Sequence, residues 1–402
     1  MPRGFHGWVI AMVGCASPMT KAERALDKFA DGETTAWHEA RYAVESAILD
    51  PQLRHEPETW AIRGQVYLTQ VGDPLLAALA ADPLELSLRS YEAAAELGAD
   101  EPLKARMRAE VPALEAVVQQ RLAHHVTVRN WLSAAEELQL AQRVHRVNLS
   151  IGTGDIEREI ALRRLACRVE AEAGDVERAA DHYEALVAIT QAHEMPLALD
   201  VILALKDRGR PKRARALALA ASTALPDHLD LFEVRVGLVF DLGDPVMAKA
   251  TVDERREALS ASAEGALRAA SLYQRIDASG LARMMWSRVI ELQPDHFTAR
   301  LALGQSIMRH AGAMRTTFRS EAGPMSRALW RSLEELWRQA EAHLQHAHRI
   351  EPARGAPLES LVQLYADKWA GIDPAALSPE DRDAFEADQV RRSSAEAMLA
   401  VP

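Results

Sequence analysis

The stretch Ala266–Asp295 reads ALRAASLYQRIDASGLARMMWSRVIELQPD. Ala266, Ala270 and Tyr273 recur at helical spacing and define one apolar face. Ala278-Ser279-Gly280 interrupts the pattern. A second face follows at Ala282, Trp286, Val289, Ile290 and Leu292, and Pro294 ends it. Two short helices joined by a turn cannot bury their apolar faces alone. The stretch therefore predicts neighbours of the same kind.

Those neighbours recur at a fixed period. The turn positions Gly174, Gly209, Gly243 and Asp277 follow one another at a nearly constant interval. Ala179, Ala214, Ala248 and Ala282 open the second helices with the same intervals. Pro226 and Pro294 stand two periods apart, and Gly304 lies one period beyond Ala270. Trp60, Gly64 and Tyr67 give a further first helix as W-x3-G-x2-Y. These residues resemble the tetratricopeptide repeat (TPR) family, whose unit is a helix–turn–helix of about 34 residues. Cys167, Ile202 and Val236 depart from it by filling its small first-helix position.

The resemblance implies an all-α fold: an α-solenoid of stacked TPR-like pairs, twisted into a right-handed superhelix. First helices would line its concave face and hold a protein or peptide partner there. One subgroup of the family grips a C-terminal carboxylate with Lys and Asn on first helices. The corresponding positions here hold Arg164, Arg168, Leu199, Leu203, Glu233, Gly237, Leu267, Ser271, Leu301 and Gln305, so that clamp is missing. Arg164, Arg168, Arg275 and Arg309 are the candidate peptide-binding residues, in a groove that would favour an acidic peptide.

The N-terminal segment Gly7–Val13 is apolar but too short to cross a bilayer. It leads into Met12-Val13-Gly14-Cys15, which resembles the bacterial lipoprotein signal. That resemblance implies removal of residues 1–14 and lipidation of Cys15 as a membrane anchor. Ala16 and Ser17 follow, with no aspartate, and in such lipoproteins this implies the periplasmic face of the outer membrane. The alternative is an ordinary N-terminal helix on a cytoplasmic adaptor.

Residues 15–102 are expected to form helical, TPR-like units, and residues 103–158 two longer helices with Asn130 capping the one that starts at Trp131. Residues 159–352 form the main array. One period beyond Ala282 no alanine stands, and the equivalent residue is Ala340, displaced by an insertion near 310–327. The insertion carries Arg315, Arg319 and Arg327 and reads equally as a binding loop or a tolerated excursion. Residues 353–402 supply a capping helix through Leu358, Leu361, Val362, Tyr365 and Trp369, then an acidic helical tail expected to dock loosely.

A net charge of −11 disfavours bulk attraction to nucleic acid or to anionic lipid, and no aromatic residues interleave with the basic run 206–215 to stack bases. That run reads as a solvated turn or a docking patch for an acidic partner. Ile151–Asp155 (IGTGD) contains GxG but follows no strand, so a capped interhelical turn is expected rather than a phosphate loop. His343 and His346 share a helix face, but nothing in sequence completes a four-ligand metal site. Cys167 is read as a small packing residue. No catalytic constellation stands out, so neither an enzyme nor a cofactor is expected.

Overall fold

The structure, a computed structural model, describes residues 17–400 apart from 74–75, 77–78, 80–81, 322–326, 371 and 373–376. The side chains of 317–321 and 327–329 are likewise outside the description, and so are Cys15 and the segment before it. The described residues contain eighteen α-helices, one 3-10 turn and no strand, an all-α solenoid of helix pairs. The chain divides into two compact units, the first ending at Gly209 and the second beginning at Arg210.

The first unit contains α1 (Pro18–Ala30), α2 (Ala36–Leu49), α3 (Pro57–Gly72), α4 (Pro83–Glu96), α5 (Glu101–Thr127), α6 (Trp131–Ile151), α7 (Ile156–Ala173), α8 (Val176–Thr190) and α9 (Met195–Asp207). The second contains α10 (Pro211–Ala224), α11 (Leu229–Asp241), α12 (Pro245–Ser260), α13 (Ala263–Arg275), α14 (Ser279–Leu292), α15 (Phe297–Glu321), α16 (Arg327–Ile350), α17 (Ala356–Trp369) and α18 (Pro379–Leu399).

Local chemistry sets the helix ends. Asp82, Asp100, Asn130, Asp155, Asp175, Asp244 and Ser262 each accept a backbone N–H of the first turn that follows. Such bonds satisfy donors that have no partner within the helix. The Ile151–Asp155 segment is thus a capped turn. The four in-phase turn positions all adopt left-handed backbone: Gly174, Gly209 and Gly243 at φ 96°, 74° and 84°, and Asp277 at 60°. Glycine enters that region without a Cβ clash, and Asp is among the few other residues that visit it.

Packing explains the small residues. Ala179, Ala214, Ala248 and Ala282 are all completely buried. A Cβ placed on Gly64 would come within 2.9 Å of the Tyr91 ring, and one on Gly304 within 2.9 Å of Leu344. At these two positions the first helix lies against a large side chain of the second helix of its pair. In the first unit one core gathers Trp37, Val44, Ile62 and Val66, and another runs from Leu88 and Tyr91 through Met107, Leu138 and Val144 to Val169. In the second unit a continuous core runs from Phe232 through Tyr273, Trp286 and Trp337 to Tyr365 and Ala395.

Two expectations change. Residues 310–321 form no loop: they continue α15, which is 25 residues long beside a 24-residue α16. The apolar face persists through Leu303, Ile307, Ala311 and Met314, so the pairing with α16 holds the added turns. Arg315 is only 5% exposed and donates to the carbonyls of Asp367, Lys368 and Ala370. It caps the C-terminal end of α17, where carbonyls lack helical partners. The acidic tail is also firmly docked. Asp388 on α18 is buried and accepts from Trp369 Nε1 at 2.8 Å and Lys368 Nζ at 2.7 Å.

Candidate functional site

First helices of successive pairs lie side by side: α7 by α9, α11 by α13, and α15 by α17. Polar side chains bridge them. In the first unit Arg164 donates through Nε (2.8 Å) and Nη2 (2.7 Å) to Oε1 of Glu194, the residue just before α9. In the second unit Arg268 of α13 reaches Asp230 and Glu233 of α11, and Glu264 on its own helix. Arg275 Nη2 donates to Asp241 Oδ1 at 2.6 Å, with its guanidinium 5.5 Å from the Phe240 ring centre. Gln305 Nε2 donates to Ser360 Oγ at 3.0 Å. Within each unit, polar bridges thus run from one first helix to the next.

The repeat period places these partners. Asp241 and Arg275 occupy the same position of consecutive pairs, one period apart, and Glu233 and Arg268 are one position further apart than that. Opposite charges one period apart meet across neighbouring first helices, a sequence signal that reading helix by helix passes over. Gly237 assists: a Cβ there would lie 3.0 Å from Arg275 Nη1, so the absent side chain leaves the guanidinium its path.

The electrostatics are mixed. Arg268 is 28% exposed, while Asp230, Glu233 and Glu264 are 54%, 48% and 68% exposed. Three carboxylates around one guanidinium leave that patch acidic. The bond from Asp230 leads in holding the Arg268 proton above its ordinary value. Arg268 therefore keeps its charge at any physiological pH.

The four arginines singled out from the sequence fall two in each unit. Arg164 and Arg168 lie one turn apart on α7; the first is paired with Glu194, and the second is exposed. On the neighbouring α9, Leu203 is 42% exposed. Arg275 closes α13 and is paired with Asp241, while Arg309 on α15 is exposed. No bond joins Arg275 to Arg309 among the described residues. Arg315, from the insertion, is committed to capping α17.

Other chemistry-bearing residues are structural. Cys167 is buried, and burial pushes its thiol up to about 12, so it keeps its proton and is a poor nucleophile. His343 Nδ1 faces Arg300 at 3.2 Å, while His346 Nε2 faces Asp295 at 2.8 Å, so the two rings do not converge. Among the described residues no three metal-ligating side chains gather, and no helix is long and apolar enough to cross a membrane.

Tyr67, Tyr273 and Tyr365 read in the sequence only as apolar-face residues, and with Tyr91 they share a polar role that helix periodicity does not reveal. Tyr67, Tyr91, Tyr273 and Tyr365 each donate a hydroxyl to a carboxylate of another helix: Glu45, Glu110, Asp253 and Glu341, at 2.6, 2.9, 2.6 and 2.7 Å. Burial first, and the carboxylate second, raise these phenols above their ordinary value. They remain hydrogen-bond donors that satisfy a polar tip inside the solenoid.

No family model matches the chain, and no curated protein matches it. Solved structures similar to it include TPR repeat proteins. The MamA protein structure is 16% identical, covers 51% of this chain and 93% of its own, and has a TM-score of 0.34. The C-terminal part of a TPR repeat-containing protein from Cytophaga hutchinsonii is 11% identical, covers 70% and 93%, and scores 0.42. YrrB, described as a TPR protein with an unusual peptide-binding site, is 16% identical, covers 51% and 91%, and scores 0.33. At these scores the likenesses carry no argument about a site; the fold rests on the helix pairs themselves.

Proposed function

We propose that this chain is a non-enzymatic scaffold that holds a protein or peptide partner along its first helices. An acyl group on Cys15 tethers it at the periplasmic face of the outer membrane, where it serves an envelope assembly or secretion complex. The observation that supports the binding role is the bridging of neighbouring first helices by polar side chains. Arg268 and its acids are solvent-facing yet hold one another in place, so a partner meets an ordered surface and little ordering entropy is spent on contact. The partner's charges are mixed: acidic side chains suit Arg168 and Arg309, and basic ones suit the patch around Arg268. The anchoring role rests on the pattern Met12–Cys15.

The binding role is tested with full-length protein crosslinked in its host cells, the captured chains being identified by mass spectrometry. Charge reversal at Arg164 and Arg168 is expected to deplete a defined partner. An unchanged set discards their role. The anchoring role is tested by intact mass and membrane fractionation against Cys15→Ala. A chain beginning at Cys15 with added acyl mass supports it. An unmodified soluble chain favours the cytoplasmic adaptor.

A further inference from the structure

The end of the first unit formed by α1 and α2 bears a groove of about 850 Å³. Lys21, Arg24, Lys28, His38, Glu39 and Tyr42 line it. The three cations stand three and four positions apart, so they share one face of α1. All three are exposed, and no acid among the described residues pairs with any of them. That sets them apart from Arg63, Arg106, Arg108 and Arg143 of the same unit, each of which meets a glutamate. Tyr42 stands beside them 78% exposed, an amphipathic ring with its phenol in water.

Position gives this face its meaning. Only Ala16 and Ser17 separate Cys15 from Pro18, the first residue of α1. The three residue steps from Cys15 to Pro18 span at most about 11 Å. An acyl chain on Cys15 therefore brings α1 to the headgroup layer. An anchor alone sets distance and leaves orientation free. A row of unpaired cations beside an exposed tyrosine sets orientation, because basic side chains gain near an anionic surface and tyrosine favours the interface.

We infer that the α1–α2 face is the membrane-apposed surface of this protein, with Lys21, Arg24 and Lys28 against anionic phospholipid headgroups and Tyr42 at the interface. The inference rests on the proposed acylation of Cys15. It goes beyond that reading by fixing which face meets the bilayer and which lipids it selects. It also leaves the polar bridge of α7 and α9 free for a partner.

The test uses acylated full-length Tyr42→Cys protein labelled with an environment-sensitive fluorophore. Acylation blocks Cys15 and burial protects Cys167, so the label reports position 42 alone. The protein is placed in vesicles of phosphatidylcholine, with or without one third phosphatidylglycerol. The expected result is a blue-shifted emission, quenched by headgroup spin labels, in the anionic vesicles. It should be lost at high salt and in the Lys21→Glu/Arg24→Glu/Lys28→Glu variant, whose circular dichroism melt checks folding. Each cation removed should weaken the headgroup contact about fivefold. Emission that ignores lipid charge and the triple variant overturns the inference while leaving the anchor intact. A probe shielded equally in detergent, with doubled mass, assigns the groove to a second copy and also overturns it. Intact mass without an acyl group removes the anchor itself, a separate failure read before any vesicle is made.

Discussion

The indole of Trp369 and the carboxylate of Asp388 join the two last helices. Nε1 donates to Oδ2 at 2.8 Å across the α17–α18 junction. The same oxygen takes a bond from Lys368 Nζ at 2.7 Å, and Oδ1 takes one from Arg391 Nη1 at 3.1 Å. Asp388 is 1% exposed, on a helix whose other side chains are mostly polar. Phe385 stacks edge-on against Trp369 at 5.4 Å. Beside the packing of Phe385 and Ala395, this carboxylate is the buried polar tie that docks the helix.

Asp388→Ala should therefore release α18. It leaves an indole N–H and an ammonium without their acceptor, at a cost of about 3 kcal/mol or more. Limited proteolysis should cut the tail at its N-terminal side well before the rest of the chain, and urea unfolding should show a lower midpoint. A variant as resistant as the parent would show that apolar contacts alone hold α18.

The four in-phase turns make a matched pair of substitutions. Gly243 has φ 84° and open space where a Cβ would go, so Gly243→Ala isolates backbone strain. It should cost about 1 kcal/mol. Asp277 sits at φ 60° at the equivalent turn, so Asp277→Gly should relieve strain and gain a few tenths of a kcal/mol, net of the freedom glycine adds to the unfolded chain. Thermal melts should move down for the first and slightly up for the second. The same sign for both would break the equivalence of the two turns.

His343 gives the second unit an acid-side sensitivity. Burial, then the Arg300 guanidinium and His346, lower its tendency to take a proton. Arg300 Nη1 points at its Nδ1 from 3.2 Å, which suits a neutral ring accepting the bond. Unfolded, the same ring titrates near its ordinary value, about 6.5. Above that value both states are neutral and stability is fully present. As pH falls below it the unfolded chain takes the proton first, and stability declines by at most about 1.4 kcal/mol per pH unit until the folded ring also titrates. His343→Gln retains an acceptor for Arg300 and removes the titration. Urea midpoints between pH 7.5 and 5 should fall less steeply for it; identical slopes would place the sensitivity elsewhere.

What the sequence alone determined is local and periodic. The helical spacing of Ala266, Ala270 and Tyr273, the capping residues Asn130 and Asp155, and the in-phase turns at Gly174, Gly209 and Gly243 each act within a few residues of themselves. Their backbone conformations need no distant partner. Repetition of that local unit is enough to predict an all-α solenoid. The long helices α5 and α6 were legible for the same reason.

Tertiary structure alone decided the rest. Residues 310–321 break the period, so they read equally as a binding loop or a tolerated excursion; Ala311 and Met314 pack into the core only because α16 is there to receive them. Arg315 reads as a free cation until the distant end of α17 presents its carbonyls. Asp388 reads as one acid in an acidic tail until Trp369 and Lys368 converge on it. The arginines of the first helices read as a basic groove, whereas Glu194 and Asp241 already hold Arg164 and Arg275. In each case the side chain's role is set by the group it meets on another helix or across a helix junction. Helical periodicity says which face a side chain occupies, and only packing says what stands opposite that face.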